Sequence, residues 1–120
     1  MIAILALAAG LQATAINWDA LAPLPYRAPP LVTPEMQALV AREARANKCP
    51  GAGGEIRVDV AVLVDEAGGI RTTVPRAIKC APVEQYAAAL VAGFARGNLL
   101  PRMAAGEQWY RTSLTFPLPK

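Results

Sequence analysis

Glu55-Ile56-Arg57-Val58-Asp59-Val60-Ala61-Val62-Leu63-Val64 is the most strongly patterned stretch of this chain. Successive side chains of a strand alternate, so Ile56, Val58, Val60, Val62 and Val64 point one way and Glu55, Arg57, Asp59 and Ala61 the other. That pattern predicts a half-buried antiparallel strand with one wet face. Asp65-Glu66-Ala67-Gly68-Gly69 follows as a turn with two glycines available for positive φ. The chain returns through Ile70, Thr72, Val74, Arg76 and Ile78. Pro75 cannot donate to a ladder, so this second strand belongs on a sheet edge or carries a bulge.

Helices are predicted on either side of the hairpin. Thr33-Pro34-Glu35 combines a hydroxyl cap, a proline in the first turn and an acid near the positive end of the dipole. Met36, Leu39, Val40 and Ala44 then share a face, and Asn47 with Cys49-Pro50-Gly51 ends the helix. Pro82-Val83-Glu84-Gln85 opens a second helix whose apolar face is Val83, Tyr86, Ala87, Leu90, Val91 and Phe94, with Gly97-Asn98 as its stop. After Leu99-Leu100-Pro101 and a turn through Gly106, a last strand runs from Trp109 to Phe116. Tyr110, Thr112, Leu114 and Phe116 form one face of it, and Trp109, Arg111, Ser113 and Thr115 the other.

A helix returning the chain after a hairpin makes the third strand parallel to the second, so it pairs antiparallel only with the first. Pro75 independently assigns the second strand to an edge. The expected fold is α+β, a three-stranded antiparallel sheet of order 2-1-3 with both helices on the valine-rich face. The third strand is left with an open edge. If Val64 sits opposite Ile70, that register places Gly54 opposite Cys80, within reach of Cys49 across the Pro50-Gly51-Ala52-Gly53-Gly54 loop. A Cys49–Cys80 disulfide is expected, with two separate buried thiols as the alternative. Without a Cys-x-x-Cys spacing, a redox site is not expected.

The 120 residues fit one compact domain with short appendages. Hydrophobic residues make up 54% and charged ones 18%, too apolar a balance for a disordered chain. There is no histidine, which excludes Ser-His, Cys-His and His-metal mechanisms. The net charge of +3 is not the concentrated basic character of a nucleic-acid binder. Ile2 to Leu11 is apolar but about half the length of a membrane span. Ala13-Thr14-Ala15 supplies a small-x-small cleavage pattern, so residues 1–15 read as a signal peptide with a mature start at Ile16. No Lys or Arg precedes the apolar run, and a buried N-terminal helix is the alternative. Residues 16–33, with Pro23, Pro25, Pro29 and Pro30, read as an extended linker, and residues 34–120 as the folded domain.

Residues Thr33 to Leu118 resemble the C-terminal domain of TonB, the energy-coupling protein of Gram-negative envelopes, a fold shared with TolA. The likeness is carried by the helix before a long alternating strand and by the Val64-Asp65-Glu66-Ala67-Gly68-Gly69 tip. Leu99-Leu100-Pro101 stands in place of an aromatic-x-Pro step, Gly106 precedes the last strand, and Leu114-Thr115-Phe116-Pro117-Leu118 resembles the family's ending. The resemblance implies a periplasmic, non-catalytic binding module without metal or cofactor. Its last strand would pair with an extended segment of an envelope or outer-membrane transport protein. On this chain the partner-binding edge would be Trp109, Tyr110, Arg111, Thr112, Ser113, Leu114 and Thr115, and a homodimer could form through it. The chain lacks the histidine of the transmembrane anchor in energy-transducing members. Its linker of about fifteen residues would reach about 50 Å fully extended, so coupling to an inner-membrane motor is not expected.

Two other functions remain open at this level. Arg57, Arg71, Arg76, Arg96, Arg102 and Arg111 could present a basic surface to an acidic cell-wall polymer. Alternatively, Asp59, Asp65, Glu66, Glu84 or Glu107 could serve a small carboxylate-dependent hydrolase. Asp65 and Glu66 read more simply as turn residues, and Glu84 as a first-turn acid.

Overall fold

The structure, a computed structural model, describes residues 16–50, 54–102 and 106–118. The expected signal peptide, residues 1–15, lies outside them, as do residues 51–53 of the loop after Cys49. A 3-10 turn at Trp18–Ala20 precedes β1 (Ala22–Pro23), α1 (Pro34–Ala46), β2 (Glu55–Val64), β3 (Ile70–Pro75), α2 (Ala81–Ala95) and β4 (Gln108–Pro117).

The valine alternation of β2 sets the architecture. Val58, Val60, Val62 and Val64 are all fully buried on the helix side, against Val40, Val83, Val91 and Phe116. β2 is the central ladder. It pairs antiparallel with β4 over ten positions, from Glu55 opposite Pro117 to Val64 opposite Gln108. On its other side it meets β3, with Val64 opposite Ile70 as expected. One step further on, the register slips, and Leu63 lies opposite Thr72. Arg71 is therefore an extra residue, a bulge beside the turn. Beyond it Pro75 comes opposite Val60 on the edge strand, where a missing N–H is tolerated. The expected pairing of Gly54 with Cys80 is absent, because the bulge shifts the register by one residue and β3 ends at Pro75.

Both helices start where their caps require. The Thr33 hydroxyl accepts from the Met36 N–H at 3.2 Å, with Pro34 in the first turn. α1 then ends in a motif usually built on glycine. The Cys49 N–H donates to Ala44 C=O at 2.9 Å and the Lys48 N–H to Arg45 C=O at 3.3 Å, with Lys48 left-handed at φ 51°. The buried face of α1 is Val40, Ala41 and Ala44, so Ala41 takes the place expected of Leu39. At the head of α2, Glu84 reaches back and accepts from the N–H groups of Ile78 and Cys80, both at 3.0 Å. The cysteines flank these two helix ends and are joined, with Cα atoms 5.3 Å apart. A disulfide of this kind belongs to an oxidising compartment. Among the described residues no helix is long and apolar enough to cross a membrane.

The α+β class and the placing of β2 between β3 and β4 agree with the sequence. The sheet, however, has four strands and is mixed, in the order β1-β4-β2-β3. Residues 16–33 are correspondingly more than a linker. Within them β1 pairs parallel with β4, placing Ala22 by Tyr110 and Pro23 by Arg111. The physical reason is Leu24, which is only 6% exposed and joins the core. Tyr26 packs against the same cluster and forms an antiparallel bridge with Leu99. Prolines exclude helix but not an edge strand, and two apolar side chains between them suffice to dock the segment.

Two substitution experiments follow from this packing. Leu24→Ala is expected to destabilise the disulfide-bonded protein by about 2–4 kcal/mol in urea denaturation, whereas a free spacer would lose nothing measurable. Replacing both Cys49 and Cys80 by serine is expected to cost about 3–4 kcal/mol by the chain-entropy relation for a loop of this size. Unchanged midpoints for both variants would contradict the packing described.

Candidate functional site

The expected partner edge is built on β4, whose backbone groups divide into two sets. The Arg76 N–H donates to Asp59 C=O at 2.8 Å, so Asp59 turns its carbonyl towards β3. Val58 and Val60 therefore turn theirs towards β4, opposite Leu114 and Thr112. On β4 the residues between these, Arg111, Ser113 and Thr115, direct their N–H and C=O groups outward. The Leu24 N–H confirms the parity by donating to Arg111 C=O at 2.8 Å.

β1 covers only the first part of this rim. Its two residues lie beside Tyr110 and Arg111, and the Arg111 Nε also donates to Leu21 C=O at 3.0 Å. The continuous open edge expected from Trp109 to Thr115 is thus shortened. Ser113 and Thr115 lie past the end of β1, are exposed, and have no main-chain partner on the outer side among the described residues.

The side chains of the predicted edge separate by face. Tyr110 and Leu114 are buried in the core, and Thr112 is half-buried, its hydroxyl donating to that of Tyr26 at 3.3 Å. Burial pushes the Tyr26 phenol above its ordinary value, and the Thr112 contact opposes this in part. The Arg102 guanidinium lies 5.7 Å from the Tyr110 ring centre, donates to its hydroxyl at 3.3 Å, and also meets the Asp65 carbonyl. These three residues are held by the domain itself. Trp109, Arg111, Ser113 and Thr115 face away from the helices.

A polar network crosses that outer face. Ser113 Oγ donates to Asp59 Oδ1 at 2.6 Å, and Arg57 donates from Nε to Asp59 Oδ1 at 3.1 Å and from Nη2 to Ser113 Oγ at 3.3 Å. Arg76 Nη1 lies 3.5 Å from Asp59 Oδ2, and its guanidinium stacks 5.4 Å above the Trp18 ring. Partial burial acts to raise the Asp59 carboxyl, but the Ser113 hydrogen bond and the two arginines outweigh it and hold the group below its ordinary value. Trp18 at the β3 side and Leu21 at Arg111 anchor the N-terminal segment across this face. Ala61, which points to the same side, is fully buried rather than wet.

The candidate catalytic carboxylates are spread across the molecule. Asp65 Oδ1 accepts from Ala67 and Gly69 N–H groups at 3.0 and 2.7 Å and closes the hairpin tip, with Gly68 at φ +89°. Glu84 caps α2, and Glu107 pairs with Arg71 at 3.4 Å. Glu66 borders an open groove of about 460 Å³ that also involves Arg27, Leu99 and Arg102. No group of three or more metal-ligating side chains occurs among the described residues. A second groove, about 280 Å³, lies between Pro34, Gln37 and Ala38 of α1 and Pro117 and Leu118 at the end of β4.

No family model, curated protein or solved structure matches this chain. Sequence reasoning missed Leu21, Ala22, Pro23 and Leu24 as part of the edge. The available signal was the apolar Leu24 and Tyr26 alternating with Pro23 and Pro25.

The Asp59 network sets a pH dependence. Its carboxyl is depressed in the folded state, so its contribution is fully present above the ordinary carboxylate value of about 3.9. It is lost as pH falls through the lower folded value. The stability difference between wild type and Asp59→Asn is expected to shrink between about pH 5 and pH 3 in urea titrations. A difference that stays constant over this range would remove Asp59 from the ion network.

Proposed function

We propose that this protein is an exported, non-catalytic binding module of the periplasm that takes up an extended segment of an envelope or outer-membrane protein along β4. The observation that carries this reading is the outward row of main-chain groups at Ser113 and Thr115, beyond the end of β1. Strand addition needs such a row: backbone hydrogen bonds supply affinity, and alternate side chains supply register. The resemblance to the TonB C-terminal domain supports the same edge. The Cys49–Cys80 bond is compatible with a Gram-negative periplasm.

The cell-wall reading draws less from the structure. Arg57 and Arg76 are committed to Asp59, Arg71 to Glu107, and Arg102 and Arg111 to backbone carbonyls. Each of these guanidinium groups spends part of its donor capacity within the chain, so the surface is less basic towards an extended acidic polymer than its composition suggests. For the hydrolase reading, Asp59, Asp65, Glu84 and Glu107 already serve hydrogen bonds or ion pairs that shape the fold.

Edge pairing is testable in intact cells with a photo-cross-linking residue in place of Thr115. An adduct with a single envelope protein is expected, and Ser113→Pro, which deletes an outward N–H, should abolish it. An adduct of equal yield in both backgrounds, or none in either, speaks against pairing at β4. A homodimeric adduct would make a second copy of the chain the occupant.

A further inference from the structure

We infer that the guest of the β4 edge is an amphipathic strand, apolar on the helix side and acidic on the outer side. The inference rests on the strand-addition reading and specifies its partner. Residues directly opposite each other in a sheet point to the same face. A guest residue beside Ser113 therefore enters the outer face, and its sequence neighbours turn towards the helices.

The outer face at this position is basic at the rim. Arg57 belongs to β2, one strand further in, but its guanidinium extends across the sheet to 3.3 Å from Ser113 Oγ. Its side chain is 62% exposed, against 25% for Asp59, so the positive group is the more accessible member of the pair. Arg111, the next outward residue of β4, is also exposed. A carboxylate beside Ser113 would meet the remaining guanidinium donors of both, Arg57 keeping its bond to Asp59 and Arg111 its bond to Leu21 C=O. Glu55 lies at the far end of the ladder, opposite Pro117, so the preference for an acid is strongest at Ser113 and fades towards the strand's end.

The helix face offers the opposite chemistry. Leu114 and Phe116 are already covered there by the domain itself, and the apolar surface left beside β4 is the groove of Pro34, Gln37, Ala38, Pro117 and Leu118 at the end of the same strand. Four of those five side chains are apolar. A guest side chain following β4 past Phe116 arrives at that groove, where an aliphatic group would be removed from water.

The test uses the disulfide-bonded protein and synthetic six-residue peptides, read by isothermal titration at low ionic strength. A peptide alternating valine and glutamate is expected to bind at least about tenfold more tightly than its valine–lysine counterpart, as two partly exposed ion pairs would give. The gap should narrow with added salt and fall to about threefold or less in Arg57→Gln, consistent with loss of one such pair. A serine–glutamate peptide should bind at least about tenfold more weakly than valine–glutamate. Versions N-methylated at alternate amides, in both frames, separate main-chain pairing from the amphipathic preference without altering the protein. If both charge types bind equally and methylation in one frame abolishes binding, the amphipathic inference fails and strand addition stands. If methylation in neither frame matters, or if no peptide binds, the strand-addition reading fails as well.

Discussion

The ladder between β2 and β4 is the constraint on which the rest of this molecule depends. Ten consecutive antiparallel pairs bring the valine face of β2 beside Tyr110, Leu114 and Phe116, and these together form the floor under both helices. The same ladder assigns the other main-chain groups of β4. Because Thr112 and Leu114 bond inward to β2, Arg111, Ser113 and Thr115 must face outward. The core and the outer rim are thus two consequences of one register, and a slip by a single residue would exchange them.

β1 shows how the chain manages that rim. An exposed strand edge invites pairing with other chains, and proteins often shield it with short or proline-containing segments. Here the shield is two residues long and stops where the chain turns inward at Leu24 to bury an apolar side chain. Pro23 and Pro25 prevent it from extending into a full ladder partner. The cover is consequently anchored by side-chain burial more than by backbone bonds, and it leaves the Ser113–Thr115 half of the edge exposed. The same segment crosses the outer face, with Trp18 on Arg76 and Leu21 on Arg111, and on that face Ala61 is fully buried.

Most of the framework was legible because it depends on local patterns. The alternation from Ile56 to Val64, the Thr33-Pro34 cap and the edge position required by Pro75 each have a short-range cause. Even the disulfide followed from the approximate level of the hairpin's far end, although the bulge at Arg71 changed the register used to place it. The proline-rich segment was harder to read because its decisive contacts are distant in sequence. Leu24 finds Arg111, and Tyr26 finds Leu99 and Thr112, and proline content alone signals only extended chain. The Arg57–Asp59–Ser113 network was half visible: Arg57 and Asp59 share a face by spacing, while Ser113 enters only through the β2–β4 register.

Rigidity links this fold to the proposed strand addition. Binding an extended segment costs the guest its conformational freedom, so the platform gains most when its own edge is already ordered. In β4 that order comes from both faces. Leu114 and Phe116 are locked in the core, and Ser113 is held on the outer side by Asp59, which is itself fixed between Arg57 and Arg76. The Cys49–Cys80 bond adds to this by tying the end of α1 to the start of α2, so the helix layer cannot separate without breaking a covalent link. Both helices are rich in alanine on their buried faces and bury little area per turn, so such a link matters more here than in a larger core. On the proposed reading, a strand with its side chains fixed, and with the outer amides of Ser113 and Thr115 lacking a main-chain partner among the described residues, would receive a guest without reorganising itself.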